Sequence, residues 1–191
     1  MNNVLRGVIA AAEEEGARLA EEFHRPDGPR GQGGSAPIDT EMEERLRAKL
    51  QALVPCAFGG EETGFTPAAA AGHEGWAWLI DPHDGTSDFL QGRRGSAVSI
   101  GLLKDGVPVL GVVHSPNAPD RGADTIAWAE GAALTRNGRR IEVDLSRRAL
   151  AQGDFVWANA SSALRPAFYS RAAHPARFIA MPSIAYRLAR V

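Results

Sequence analysis

The chain has 191 residues, of which 44% are hydrophobic and 23% charged, and its formal net charge is -2. This is ordinary globular composition, and the length suffices for one domain with a hydrophobic core, or for one domain and part of another. The near-neutral charge argues against a protein that binds nucleic acid through bulk positive charge, so we expect small molecules or other proteins as partners.

Two further features concern the cellular compartment. The single cysteine, Cys56, excludes an intrachain disulfide and fits a reducing cytoplasm, where we expect it to be a small apolar filler. The N-terminal run GVIAAA is short and is followed at once by EEEGARLAEE, which is unlike a signal peptide. The sequence contains no run of about eighteen consecutive apolar residues, so no membrane span is predicted.

Helical patterns occupy the first part of the chain. Apolar residues recur at helical spacing over residues 3 to 23, which predicts an amphipathic helix. The tract RPDGPRGQGGSAP, residues 25 to 37, is so rich in glycine and proline that it predicts a mobile loop. A second helix is predicted to begin near Asp39, with Asp39 as its cap.

Short apolar runs that are typical of strands follow. They are WAWLI (76 to 80), SAVSIGLL (96 to 103) and VPVLGVVHS (107 to 115). The last two are separated by KDG and predict an antiparallel hairpin. Further strands are predicted around 125 to 129 and 154 to 158, and a last helix from Pro182 onward. Helices before strands, and strands paired through hairpins, predict a layered α+β or α/β sandwich rather than a doubly wound Rossmann sheet.

The segment DPHDGT, residues 81 to 86, is the first candidate for chemistry. Proline after Asp81 biases that residue toward extended geometry, so the strand is predicted to end there. Gly85 permits a tight turn, and Thr86 or Ser87 can open a helix whose free N–H groups attract an anion. Asp81 and Asp84 can converge on a divalent cation, and such hard oxygen ligands suit Mg²⁺. A capped turn without further role is an equal alternative, because Asp, Pro and Gly are the commonest turn residues.

Other acidic residues decide between these alternatives. Asp39, the pair Glu61 and Glu62, and the DPHDGT segment follow each other in the order and at the separations found in the inositol monophosphatase family of Mg²⁺-dependent, lithium-sensitive phosphatases. The chain resembles this family from about residue 3 to its last residue. SAVSIGLLKDGVPVLGVVHSP is similar to the strand pair after the motif, and GAALTRNGRRI is similar to a Gly-Ala…Asn-Gly turn of the family. The combination is specific where each piece is weak.

The resemblance implies a fold and an activity. The fold would be the layered α/β (α+β) sandwich of fructose-1,6-bisphosphatases and inositol monophosphatases. Residues 1–150 would form an N-terminal metal-binding phosphatase domain, and residues 151–191 the start of a C-terminal α/β half-domain. The activity would be hydrolysis of a small phosphorylated metabolite, such as an inositol phosphate, by water activated with two or three Mg²⁺ ions. The resemblance also implies a possible homodimer, and the cytoplasmic location without nucleic-acid or membrane partners stays the expectation from composition.

The resemblance assigns metal ligands residue by residue. Glu61 and Asp81, with the backbone carbonyl of His83, would hold the first metal ion. Asp81 and Asp84 would share the second ion. Glu62 belongs to the motif but is not a required ligand.

The resemblance also assigns catalytic and substrate-binding residues. The catalytic residues would be Glu61, Thr86 and Asp39, with Thr86 and Asp39 positioning and deprotonating the attacking water. Asp84, Gly85 and Thr86 would bind the substrate, with the N–H groups of Gly85 and Thr86 cradling its phosphate.

The chain departs from the family pattern in several places. Pro37 stands where the family usually has Thr, and Arg30 alone is near the position of a loop lysine. His83 stands where an aliphatic residue is common, and we expect it to be a partly exposed turn histidine whose imidazole binds no metal. The sequence stops at Val191, before the Trp-Asp motif whose aspartate completes the family's second metal site. The hydrophobic edge of residues 154 to 180 is therefore expected to be poorly covered.

Three explanations of the early stop are open. The chain is a fragment of a longer phosphatase, a reduced homologue that does not turn over, or a protein completed by a partner. We expect the first, because the catalytic positions within the chain are intact.

Other functions compete with the inositol phosphatase interpretation. A haloacid dehalogenase needs two aspartates two positions apart after a strand, whereas Asp81 and Asp84 are three apart with a proline between, and Glu61 would be unexplained. Asp88 stands at a position where inositol phosphatases often have Asn and the related 3′(2′),5′-bisphosphate nucleotidases often have Glu. Its acidity leans toward a nucleotidase, although a charge at a helix start explains it equally. A non-catalytic protein that retains a metal or phosphate site is the third alternative.

Overall fold

The computed structural model of the protein describes residues 1–68, 72–142 and 149–190. The helices are α1 (Asn2–Phe23), α2 (Pro37–Leu53), α3 (Thr86–Phe89), α4 (Pro166–Ala173) and α5 (Ile184–Ala189), with a 3₁₀ helix at Ala160–Leu164. The strands are β1 (Ala57–Gly60), β2 (Gly64–Thr66), β3 (Trp76–Asp84), β4 (Ala97–Lys104), β5 (Val107–Ser115), β6 (Asp124–Ala129), β7 (Thr135–Arg136), β8 (Arg139–Arg140), β9 (Phe155–Ala158) and β10 (Arg177–Ala180).

The strands form a mixed main sheet and a separate strand pair. The order in the main sheet is β2-β1-β3-β4-β5-β6-β7-β8, in which β1 and β3 are parallel and the other neighbours are antiparallel. β9 and β10 pair in parallel outside this sheet. The predicted layered α+β sandwich is confirmed.

Two hydrophobic clusters cover the two faces of the main sheet. On one face α1 and α2 bury apolar side chains such as Leu19 and Met42 against Trp78 of β3. On the other face Met181 and Tyr186 pack against Ala97 and neighbouring apolar side chains. The sheet is therefore a layer between helices, and the chain between β10 and α5 reaches back onto it.

Most of the predicted elements are present. The helix over residues 3 to 23 corresponds to α1, and the predicted hairpin corresponds to β4 and β5. The strands predicted near 125 to 129 and 154 to 158 are β6 and β9. The helix predicted from Pro182 onward is α5, and Val191 lies outside the described residues.

The helix predicted to begin near Asp39 is α2, but the predicted N-cap is wrong. The helix starts at Pro37 with Ala36 as its N-cap, because proline has the helical φ angle and needs no N–H partner in the first turn. Asp39 is therefore the third helical residue, and its Oδ2 accepts a hydrogen bond from the Ala36 backbone N–H at 3.1 Å. Asp39 therefore caps the helix from its third position and is not the N-cap residue itself.

The predicted end of the first strand is also wrong. β3 does not stop at Asp81 but continues to Asp84, because Asp81 and Asp84 both pair with residues of β4. The short strands β1, β2, β7, β8 and β10 were not predicted, nor were α4 and the 3₁₀ helix.

The glycine-rich tract between α1 and α2 is folded into turns. Gln32 and Ser35 form an isolated antiparallel bridge. The guanidinium of Arg30 makes a bidentate ion pair with Glu22 of α1, and the Arg30 backbone N–H donates to the same carboxylate at 2.7 Å. Arg30 also lies 3.6 Å from Glu41. Arg30 is thus committed to α1 and α2, and mobility of the tract stays a prediction.

Two expectations from composition concern Cys56 and membrane spans. Cys56 is buried, as expected for a small apolar filler, and burial raises the pKa of its thiol. Among the described residues, no helix combines the length and the apolarity that crossing a membrane requires.

Candidate active site

The two aspartates of the DPHDGT segment lie on one face of the sheet because β3 carries a bulge between them. Asp81 pairs with Ser99 of β4 and Asp84 pairs with Ala97, so three steps along β3 match two steps along β4. Side chains three apart on a regular strand point to opposite faces, and one extra residue brings them to the same face. The burial pattern agrees, since the two residues between the aspartates are both buried and the aspartates are half-buried.

Parallel pairing of β1 and β3 brings Glu61 to Asp81. Gly60, the last residue of β1, is the partner of Ile80, so Glu61 and Asp81 follow at the same end of neighbouring strands. Both acidic residues line an open groove of about 500 Å³ on the sheet surface. The structure thus brings together two residues that the sequence indicated as ligands of one metal ion.

The carboxyl group of Asp81 is electrostatically crowded. Burial raises the pKa of Asp81 to about 8, and the hydrogen bond and charge of Glu61 and the charge of Asp84 act in the same direction. The backbone N–H of His83, which donates to Asp81 Oδ1 at 2.9 Å, acts in the opposite direction. Without a bound cation, the carboxyl group of Asp81 therefore keeps its proton near neutral pH.

Asp84 is bonded to the beginning of α5. Its Oδ2 accepts hydrogen bonds from the Ser183 hydroxyl and the Ala185 backbone N–H, both at 2.6 Å. Ser183 is also the N-cap of α5, because its hydroxyl oxygen accepts from the Tyr186 backbone N–H at 2.9 Å. We refer to Glu61, Asp81 and Asp84 as the acidic cluster. The start of α5, about one hundred residues further along the chain, is therefore hydrogen-bonded to this cluster.

Asp39 and Thr86 meet although they are 47 residues apart in the chain. The Thr86 hydroxyl lies 3.3 Å from Asp39 Oδ2 and 2.8 Å from the backbone carbonyl oxygen of His83. The other carboxylate oxygen, Asp39 Oδ1, lies 2.6 Å from His83 Nδ1. A hydroxyl held between a carboxylate and a carbonyl can pass a proton to the carboxylate and accept one from a water molecule.

The prediction that His83 is a partly exposed turn residue is wrong. His83 is 2% exposed, and its ring meets Phe89 edge to face with 4.3 Å between ring centroids. The bulge is the reason, because it places two successive residues of β3 on the face that α2 covers.

Gly85 occupies a position that only glycine fits easily. Its φ angle is +105°, in the left-handed region, and a Cβ there would lie 3.0 Å from Pro182 Cβ. α3 begins at the next residue, Thr86, and the first N–H groups of a helix have no partner within it. The local geometry suits the phosphate contact that the sequence indicated for Gly85 and Thr86.

Glu43 is a site residue that the sequence reasoning missed. Its buried carboxylate accepts from the backbone N–H groups of the two residues that follow Glu61, at 2.8 Å and 2.9 Å. Gly60 permits this approach, since a Cβ there would lie 2.1 Å from Glu43 Oε1. The available signal was a glutamate one helical turn after Asp39, on the buried face of α2.

The residues present fit Mg²⁺ in chemistry more than in arrangement. Within the described residues no three His, Cys, Asp or Glu side chains are grouped as a ready-made metal site. The Oδ2 atom of Asp84 is engaged by two hydrogen bonds from the start of α5. The donors themselves are the oxygen ligands that Mg²⁺ prefers. Burial and the charges of Glu61 and Asp84 raise the pKa of Asp81, and a cation bound there would neutralise these charges.

The chain is similar to proteins of a known family. The family model described as "Inositol monophosphatase family" matches residues 1–177. The chain belongs to the inositol monophosphatase family. Extragenic suppressor protein suhB from Bartonella henselae, a solved structure, superposes with a TM-score of 0.76 at 21% identity, over 99% of this chain and 74% of that one. The predicted fold and family are both confirmed.

Two curated relatives of this family member have named activities. The chain is 36% identical over 108 residues to the fructose-1,6-bisphosphatase/inositol-1-monophosphatase of Aquifex aeolicus, which covers 56% of this chain and 38% of that protein. It is 33% identical over 120 residues to the 3'(2'),5'-bisphosphate nucleotidase CysQ of Aggregatibacter actinomycetemcomitans, which covers 60% of this chain and 44% of that protein. The family member thus spans about two fifths of the length of the curated relatives it matches.

Proposed function

We propose that the chain is a Mg²⁺-dependent phosphomonoesterase that hydrolyses a small phosphorylated metabolite. The observation that carries the proposal is the bulge of β3, which directs Asp81 and Asp84 to one face beside Glu61, next to the Asp39–Thr86 pair. Membership of the inositol monophosphatase family supports an inositol phosphate-like substrate.

The metal-binding part of the proposal uses the acidic cluster. Glu61, Asp81 and the carbonyl oxygen of His83 would hold one Mg²⁺ ion, and Asp81 and Asp84 another, with two or three ions in all. When bound, such ions lower the pKa of a coordinated water and neutralise charge on the leaving oxygen. Glu43 would act indirectly, because it fixes the backbone that carries Glu61.

The remaining residues would orient the substrate and move a proton. The Thr86 hydroxyl, between Asp39 and the carbonyl of His83, would accept the proton of the attacking water and pass its own to Asp39. The N–H groups of Gly85 and Thr86 would contact the phosphate. Alignment and charge neutralisation are most of what a protein supplies to phosphoryl transfer.

Phosphate release tests the proposal. The chain is incubated with Mg²⁺ and a panel of inositol phosphates, histidinol phosphate, sugar bisphosphates and nucleotide bisphosphates, with and without millimolar Li⁺. We expect Mg²⁺-dependent, lithium-sensitive turnover that disappears in Asp81→Asn.

Asp105→Asn is the matched control for this substitution. Asp105 is exposed in the turn between β4 and β5. The preceding residue, Lys104, pairs with Trp76, which lies at the opposite end of β3 from Asp81. Asparagine also tolerates its positive φ angle. Loss of turnover in Asp105→Asn as well, or turnover that persists in Asp81→Asn, would contradict the assignment of the site.

A 3′(2′),5′-bisphosphate nucleotidase activity is the second candidate. The similarity to CysQ and the acidic Asp88 favour it. In the structure Asp88 pairs with Arg93, so its charge is partly committed within α3 and the turn after it. A kcat/KM for adenosine 3′,5′-bisphosphate well above that for inositol phosphates would decide for this candidate.

A non-catalytic metal-binding or phosphate-binding homologue is the third candidate. It is favoured by the observation that Asp84 is bonded to α5 and the carboxylates are not grouped around one point. Mg²⁺ binding measured by calorimetry, without turnover of any substrate in the panel, would decide for it.

The setting of the activity is part of the same proposal. We propose a cytoplasmic location, which a buried and unpaired Cys56 suits, and a division into residues 1–150 and 151–191. A homodimer without nucleic-acid or membrane partners is also proposed, and analytical ultracentrifugation checks the dimer.

A further inference from the structure

The imidazole of His83 contacts the Asp39–Thr86 pair from a fully buried position. The side chains of His83 and Asp39 are 1% and 2% exposed, and Nδ1 lies 2.6 Å from Asp39 Oδ1. An ionised carboxylate only accepts hydrogen bonds, so Nδ1 carries the proton in this contact. The ring is held from the side by the edge-to-face contact with Phe89.

The contact determines which oxygen of Asp39 faces Thr86. Asp39 Oδ1 is taken by His83, and Oδ2 is shared between the Ala36 backbone N–H at 3.1 Å and the Thr86 hydroxyl at 3.3 Å. Besides the Thr86 hydroxyl, two donors therefore fix the rotation of the carboxylate: His83 of β3 on Oδ1 and the Ala36 backbone N–H, at the start of α2, on Oδ2. Without His83, Oδ1 would lose its donor and the carboxylate could turn about its χ2 angle, which is broad for Asp.

Stability alone does not explain a histidine at this position. His83 Nε2 is buried and has no hydrogen-bond partner among the described residues. A buried polar atom without a partner costs free energy, whereas an aliphatic side chain would fill the same space without that cost. The imidazole is a half-satisfied group whose one bond goes to Asp39.

We propose that His83 is a positioning residue that locks the Asp39 carboxylate toward the Thr86 hydroxyl. The role in turnover rests on the proposed function, in which Asp39 and Thr86 take the proton of the attacking water. His83 touches this pair through two groups, since its carbonyl also accepts from the Thr86 hydroxyl at 2.8 Å.

Two substitutions separate the side-chain bond from packing. His83→Leu removes the donor, and His83→Asn places an amide nitrogen where Nδ1 was. We expect His83→Leu to lower kcat by about 10- to 100-fold, as is typical when the partner of a catalytic group is removed. KM and the Mg²⁺ dissociation constant should stay unchanged, and His83→Asn should recover most of the loss.

Two further variants, one single and one double, make the test specific. His114→Asn is the control for loss of a buried histidine, because His114 is buried in β5 and its Nδ1 bonds to Thr125 outside the site. Its kcat should stay unchanged per folded molecule, with the folded fraction measured by circular dichroism. In an Asp39→Asn background, His83→Leu should cause no further loss of kcat, because its effect passes through Asp39.

Several results would overturn the proposal. They are an unchanged kcat in His83→Leu, an equal further loss in the Asp39→Asn background, or failure of His83→Asn to recover activity. Loss of Mg²⁺ binding in His83→Leu would also overturn it, since His83 would then act on the metal site.

Nuclear magnetic resonance of the chain without substrate separates this proposal from the proposed function. A slowly exchanging, downfield His83 Nδ1–H signal that disappears in Asp39→Asn supports the locked carboxylate. Its absence overturns the locking. A wild-type chain that releases no phosphate but shows the signal overturns the proposed function, while the positioning of Asp39 by His83 stands.

Discussion

Ionisation of Asp81 in the folded chain works against burial and against two acidic neighbours. Its pKa is about 8, compared with 3.8 for an ordinary aspartate. Between these values the folded state keeps a proton that the unfolded state has released. The group therefore lowers the free energy of unfolding progressively as pH rises from about 4 to about 8, and not further above 8. We predict that Asp81→Asn becomes more stable than wild type over this range in Mg²⁺-free buffer, as measured by urea denaturation.

The same measurement has an internal control. Asp105→Asn, measured in the same way, shows how the loss of an aspartate outside the site changes stability. Adding Mg²⁺ at pH 8 should favour wild type over Asp81→Asn, because a cation that binds the folded state stabilises it. A constant difference between Asp81→Asn and wild type across the range would show that the pKa of Asp81 is not raised.

The residues of the candidate site were singled out through the resemblance to the family, since each acidic residue alone was ambiguous. Of that combination, the structure places Glu61 beside Asp81 and brings Asp39 into contact with His83. The burial of His83 was not predictable, because it depends on α2, whose Asp39 lies 44 residues away in the chain. Glu43 was hidden for the same reason, since its partners are backbone groups of a distant loop.

At the scale of elements, α2 holds the loop that carries Glu61. The Glu43 carboxylate receives backbone N–H groups at 2.8 Å and 2.9 Å, and a glutamine would turn an amide donor toward at least one of them. We predict that Glu43→Gln lowers the free energy of unfolding by about 1–3 kcal/mol, the cost of a buried unpaired group. Calorimetry should also show weaker Mg²⁺ binding, because Glu61 loses its support.

Glu44→Gln is the matched control, since Glu44 is exposed on the same helix. Its stability and Mg²⁺ affinity should equal those of wild type. Equal effects of the two substitutions would mean that charge on α2, rather than the bonds of Glu43, supports the loop.

The beginning of α5 is stabilised by Ser183 and Asp84 together. Ser183 caps the helix and donates to Asp84, so its hydroxyl serves two contacts. We predict that Ser183→Ala lowers the free energy of unfolding by about 0.5–2 kcal/mol, the range for loss of an N-cap. Hydrogen exchange should speed up at the Tyr186 and Ala185 amides.

Ser161→Ala tests whether any serine near a helix start has this effect. Ser161 is exposed in the 3₁₀ helix, and its hydroxyl bonds to Asn159. We expect no change in the exchange of α5 amides. If Ser183→Ala leaves those amides protected, the contact with Asp84 does not hold α5.

Local pattern predicted the strands of six residues or more and failed for most strands of two to four residues. The β4–β5 hairpin could be predicted from two apolar runs and a short turn. β1 and β10 are too short to show a period, and β1 reads AFGG; both pair in parallel with strands beyond an intervening element. Their existence depends on tertiary pairing.

For the whole molecule, the C-terminal layer exposes apolar surface. Phe155, Leu164 and Phe168 are exposed within residues 154 to 180, where poor coverage was predicted. Leu150, Phe155, Ile184 and Leu188 line one open cleft of about 780 Å³, together with arginines of β7 and α5. None of the candidate metal ligands lines this cleft. Contiguous exposed apolar surface promotes association, whereas single exposed apolar residues do not.

We predict that the chain self-associates in a concentration-dependent manner and that Leu188→Glu reduces this. Leu188 is 70% exposed, so the substitution should leave the fold intact. Val107→Glu, at an exposed apolar residue of β5 outside the cleft, should leave association unchanged. Sedimentation velocity checks both, and equal behaviour of the two variants would show that the cleft is not the surface of association.

The bulge in β3 makes the acidic cluster depend on a count of residues as well as on their identity. If β3 paired regularly with β4 over the same residues, Asp81 and Asp84 would point to opposite faces, and one of them would turn toward the helices. A chain that keeps every acidic residue of the motif but lacks the bulge should therefore lack the site. The acidic residues alone are thus insufficient to recognise the site without the strand irregularity that lies between them.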